Sequence, residues 1–242
     1  MGFLLPLFLY IYPMNNLLIE CCANSVQSAI NGAKGGANRI ELCSNLAVGG
    51  LTPKHEDIIK AKEKLTIPLH ILIRPREGNF IYADKEFDQI LSDITICKDI
   101  GCAGVVIGSL NIDGSINKKQ TKAMVDSAKP MHITFHRAFD EGNNLQQNLE
   151  DVIACGCDTL LTAGQNNNVS LGMSNLKKLV SISEGRINIL AGSGVSHENV
   201  KALFKIGIRN FHLSGSEKNK NGVLETNNKN ILAVIEELKT FV

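Results

Sequence analysis

Short β-type runs alternate with amphipathic helical stretches along this chain, and the cycle repeats about eight times at roughly 28-residue spacing. The runs read LLIEC (17–21), RIELC (39–43), LHILIR (69–74), GVVIG (104–108), HITFHR (132–137), TLLTAG (159–164), INILAG (187–192) and FHLSG (211–215). Strands separated by helices must pair in parallel, because a tight hairpin cannot reverse the chain there. About eight such units predict closure into a single (β/α)8 TIM-type barrel of the α/β class, and 242 residues suit one barrel but not two. An open doubly wound sheet would carry a glycine-rich turn after its first strand. Here that strand runs into Cys21-Cys22-Ala23-Asn24. Asn24, Ser25, Asp84 and Ser196 are predicted helix N-caps.

Composition narrows the function classes. The chain is 44% hydrophobic but only 5% aromatic, with no Trp, so its core must be built from Ile, Leu, Val and Ala. A net charge of +1 with no long run of one sign offers no nucleic-acid footprint and no basic membrane patch. The seven cysteines include no Cys-x-x-Cys pair. They read as reduced thiols of a cytoplasmic protein, since a chain this large needs no disulfide staples. Residues 1–13 (MGFLLPLFLYIYP) are apolar but too short to span a membrane, and they lack a basic n-region and a small-residue cleavage site. They are expected to be an extension, with Met14 as the natural start and residues 14–242 as the barrel domain.

Side chains alternate across a strand with period two. Glu20 and Cys22 therefore share a face, as do Glu41 and Cys43, His70 and Arg74, His132 and His136, and His212 and Ser214. If these faces point inward, five strands place polar groups in the barrel, where each is costly unless paired. Neighbouring strands lie about 4.8 Å apart, which brings Cys22 and Cys43 within reach of each other. Two thiolates suit a soft ion such as Cu(I); alternatively, each Cys is a small buried hydrophobe. Cys21 should face the helix layer. Arg74 and Arg76 end the third run, where they would hold a carboxylate or phosphate, or else neutralise Glu20 or Glu41. His136 suits a general base, a metal ligand or a fixed hydrogen-bond donor, whereas His132 reads as a core histidine. The Gly192-Ser193-Gly194 turn and the end of the eighth run, with His212, lie where many barrels bind phosphate.

These segments resemble the CutC copper-homeostasis family. The likeness is carried by LIECCANSVQS (18–28), GGANRIELCSNLAVGGL (35–51), ILIRPR (71–76), GVVIGSL (104–110), MHITFHRAFD (131–140) and AGSGV (191–195). It does not include residues 1–13. The resemblance implies a (β/α)8 barrel, a cytoplasmic homo-oligomer (dimer or tetramer) and a link to copper. It assigns Cu(I) to the cysteines matched here by Cys22 and Cys43. Cys21 departs from the family, which commonly has Val there. Two functions follow. One is Cu(I) binding by the strand-end thiols. The other is an enzyme of unknown substrate, in which Arg74, Arg76 and the 192–194 turn hold a small anion and Glu20, Glu41 or His136 moves protons.

Overall fold

A computed structural model describes residues 17–241. The expected extension at residues 1–13 lies outside them. Eight parallel strands close in sequence order into a barrel. They are β1 (Leu18–Ala23), β2 (Arg39–Leu42), β3 (Leu69–Leu72), β4 (Gly104–Ile107), β5 (His132–Phe135), β6 (Thr159–Thr162), β7 (Asn188–Gly192) and β8 (Asn210–Leu213). Their crossover helices are α1 (Val26–Lys34), α2 (His55–Lys64), α3 (Asp84–Ile100), α4 (Lys118–Ala128), α5 (Leu145–Cys155), α6 (Met173–Ser183) and α7 (Val200–Lys205). A small antiparallel hairpin, β9 (Ser216–Lys218) and β10 (Leu224–Thr226), precedes the last helix, α8 (Asn228–Lys239). The sequence reading missed this hairpin.

Helix starts follow local chemistry. Ser25, Asn117, Asn144 and Asn227 each accept a backbone N–H of the following turn. Three expected caps differ. Ser196 lies three residues before Asn199, the cap of α7, whose Oδ1 accepts the Ser196 N–H at 3.0 Å. Asn24 instead bonds Ser28 Oγ and the Leu224 carbonyl. Asp84 is the first residue of α3, and Glu86 reaches back to the Ala83 N–H at 2.9 Å.

The main hydrophobic core lies between the outer face of the barrel and the helices. It contains Ile19, Ile40, Ile71, Val105, Ile133, Leu160, Ile189 and Phe211 from the eight strands, with helix residues such as Ile58, Ile90 and Leu176. The inward faces form a second, much smaller apolar cluster of Cys22, Cys43, Leu72 and Val106. Below it the barrel interior carries buried charged groups. Glu20 stands opposite Arg39 on one neighbour and His212 on the other, and Cys22 stands opposite Glu41. The His70 ring lies across β4, where a Cβ on Gly104 would sit 2.6 Å from its Nε2. Only glycine leaves room for the imidazole.

Candidate functional site

The C-terminal strand ends and their loops enclose a cavity of about 600 Å³. Cys22, Glu41, Leu72, Arg74, His136, Ser193, Gly194 and His212 line it, together with Phe80, Arg137 and Asp140. Barrels place their sites at this end because the loops there can vary while the strands stay fixed.

The floor is set by strand register. Cys22 Sγ lies 3.9 Å from Cys43 Sγ and 3.8 Å from Glu41 Oε1. All seven cysteines are free and buried. The bond with Cys43, then burial, pushes the Cys22 thiol well above its ordinary range. Cys21 points the other way. Its Sγ meets Thr226 Oγ1 at 3.8 Å, and burial pushes it up to about 12.

Two carboxylates in this floor are driven apart. Burial alone would raise Glu20, but the Arg39 guanidinium and the His212 ring outweigh it and hold the carboxyl well below its usual range. Arg39 Nε donates to Glu20 Oε2 at 2.5 Å, and His212 Nδ1 lies 2.7 Å from Glu20 Oε1. Glu41 has only a looser partner, His212 Nδ1 at 4.0 Å from its Oε2, which does not offset its burial. Burial pushes it up to about 7, and the charge of Glu20 adds to the rise. Burial lowers His212, yet Glu41 and Glu20 outweigh that and raise it.

His136 caps the short 3-10 segment Arg137–Glu141, its Nδ1 accepting the Ala138 N–H at 3.2 Å. The neutral ring therefore carries its proton on Nε2, which is buried without a partner among the described residues. Burial, reinforced by Arg74, pulls His136 down to about 3. His132 lies at the opposite end of the strand, 3.0 Å from Thr159 Oγ1 and with its ring 5.1 Å from that of His70.

The expected residues do not all meet at one rim. Glu20 is fully buried below the cavity, and Cys43 sits behind Cys22. Gly192 lies against Leu161 and His212, while the next two residues reach the cavity wall. Arg74 lines the cavity but pairs with neither glutamate. Its two Nη atoms donate to the Val48, Gly50 and Gly78 carbonyls at 2.8–3.1 Å, and its guanidinium lies 4.7 Å from the Phe80 ring centre. Arg76 is a correction: it is not brought to the cavity. Its Nε donates to Glu86 Oε1 at 2.5 Å, and its guanidinium stacks on Tyr82. The chain has left β3 at Leu72, so period-two alternation no longer aims that side chain. Glutamate neutralisation falls instead to Arg39, two residues before Glu41 on the same inward face. The loop asparagines Asn166 and Asn167 also line the cavity. Asp140 ties this wall together by accepting from the Ala163 N–H and from Arg137 Nε.

A closed parallel barrel with a polar cavity over its C-terminal strand ends defines a (β/α)8 barrel protein with a built pocket. Within that class, the chain belongs to the CutC family, whose model matches residues 17–217. It is 42% identical to a Bacteroides fragilis family protein CutC over 212 residues, 87% of this chain and 84% of the relative. A Chromobacterium violaceum family protein CutC is 41% identical over 81% of this chain and 80% of its own length. A Streptococcus agalactiae structure, provisionally assigned as the copper homeostasis protein CutC, superposes with a TM-score of 0.77. That pair is 29% identical, over 82% of this chain and 98% of the other. The thiamine phosphate pyrophosphorylase of Pyrococcus furiosus shares the fold alone, at 13% identity and a TM-score of 0.64, over 95% of this chain and 98% of the other. Among the described residues no helix is long and apolar enough to cross a membrane.

Proposed function

We propose that this chain is a copper-homeostasis protein of the CutC type that holds Cu(I) through Cys22 and Cys43. The observation that carries the reading is the 3.9 Å approach of two free thiols from adjacent strand ends. The donor set fits a soft ion: two sulfurs in an apolar collar of Leu46, Leu72 and Val106, one of them on the cavity wall. A thiolate there is costly without a cation beside it, and Cu(I) supplies that charge. The name carried by the S. agalactiae structure supports the same reading. The test is anaerobic Cu(I) titration of the reduced chain and of a Cys22→Ser/Cys43→Ser double variant. We expect one tight equivalent in the wild type and its loss in the variant. Equal stoichiometry and affinity in both reject the reading.

A second reading rests on the cavity itself. At about 600 Å³ it is far larger than an ion needs and falls in the range of small-molecule sites. Under this reading the chain is an enzyme acting on a small anion. Arg74, His136 and the Ser193-Gly194 turn would bind it, and Glu41 would transfer the proton, with Glu20 held ionised beneath. Thermal-shift screening against anionic metabolites tests it. Absence of any stabilising compound, together with unchanged pocket order in Arg74→Ala, rejects it. With either function we place the protein in the cytoplasm as a homo-oligomer, a dimer or tetramer, with residues 14–242 forming its domain. Light scattering checks the oligomer.

A further inference from the structure

Beside the thiol pair lies a second donor set that shares only Cys22 with the Cu(I) reading. Cys22, Glu41 and His212 are all buried, and each presents one donor atom within 4.8 Å of the others. Glu41 Oε2 is buried without a hydrogen-bond partner among the described residues. A buried polar atom left without a partner is costly, so its retention points to something that occupies it. Its other oxygen meets only the weak Cys22 thiol donor.

His212 is held as metal-binding histidines are held. Its Nδ1 faces Glu20 Oε1 at 2.7 Å, and Glu20 Oε2 takes the Arg39 Nε–H at 2.5 Å. In the neutral ring this places the proton on Nδ1 and leaves the Nε2 lone pair for another partner. A carboxylate behind a histidine fixes the tautomer and raises the basicity of the free nitrogen. The Arg39–Glu20–His212 row is therefore more than a neutralised charge pair.

We propose that Cys22, Glu41 and His212 form a three-ligand site for a borderline divalent cation of the Zn²⁺ class, with Glu20 and Arg39 as its outer support. One sulfur, one nitrogen and one carboxylate oxygen make a donor set that Zn²⁺ accepts, whereas Cu(I) favours the two thiols. Three protein ligands leave a fourth position open, the pattern of catalytic rather than structural zinc. All three ligands line the cavity, so a water or an oxygen-bearing ligand can reach that position. On binding, the Cys22 thiol gives up its proton to solvent. The site shares Cys22 with the copper reading but does not use Cys43, and it stands or falls separately.

The test uses Zn²⁺ alone on the full-length, metal-stripped, reduced chain, in competition with a chromophoric chelator. One equivalent should bind. His212→Gln and Glu41→Gln should each weaken binding at least ~10-fold, and Glu20→Gln, one step further out, by ~10–100-fold. Cys43→Ser should retain one equivalent of Zn²⁺ while abolishing Cu(I) uptake. X-ray absorption of the zinc-loaded wild type needs no variant, and it should show one sulfur with nitrogen and oxygen donors. No zinc binding, two sulfurs in that shell, or full affinity in a folded His212→Gln variant overturns the proposal. Zinc binding with failed Cu(I) titration sinks the copper reading alone, and the reverse result sinks this one alone.

Discussion

At the scale of single residues, the decisive group is one that the strand pattern could have placed but that was not singled out from it. Arg39 is buried, and its guanidinium is what keeps Glu20 ionised inside the barrel. Removing one partner of a buried pair strands the other charge, at a cost of about 3–5 kcal/mol. Arg39→Leu should therefore lose about that much stability in urea unfolding, whereas adding Glu20→Gln should recover part of the loss. A double variant whose cost equals the sum of the two single costs would show that the two groups are not coupled. Alternation along β2 puts Arg39, Glu41 and Cys43 on one face, so its inward direction was legible. Its partner was not, because cross-strand register is set by how two strands align and no single strand's sequence records that.

Among the elements, the strand–helix units were legible because a twofold period and a 3.6-residue period differ sharply in sequence. The hairpin was not: its three-residue strands, Ser216–Lys218 and Leu224–Thr226, are too short to show any period. It is fixed from outside, where Asn31 Nδ2 donates to the Thr226 carbonyl at 3.0 Å and Ser28 Oγ accepts the Thr226 N–H at 3.1 Å. Arg76 misled for a related reason: it was read as a strand-end residue facing the site, but β3 ends at Leu72. In β4 the tight point is Gly104. A methyl there would meet the His70 ring at 2.6 Å and the His132 carbonyl oxygen at 2.7 Å. The ring can turn but the backbone oxygen cannot, so Gly104→Ala should destabilise the fold by about 1–3 kcal/mol. Adding His70→Ala should relieve only part of that loss, which chemical denaturation of the two variants measures.

For the molecule as a whole, buried neutral imidazoles couple stability to pH. His136 is held down to about 3 by burial and Arg74, whereas an unfolded histidine titrates near 6.5. Between those values the unfolded chain binds the extra proton, so stability from this group rises with pH up to about 6.5 and is constant above. His136→Gln should remove that dependence. From pH 7 to pH 5 the wild type should lose about 2 kcal/mol more than the variant. Equal losses by calorimetry would show that the ring is protonated in the native state.

The main apolar mass that binds helices to staves lies outside the cylinder, and inside it a small nonpolar cluster of Cys22, Cys43, Leu72 and Val106 sits above buried charges. Cohesion and chemistry are thus assigned to opposite sides of the same eight strands. A matched set of bore residues exchanged together would leave the outer apolar shell its contacts, so the same shell could house a differently lined pocket.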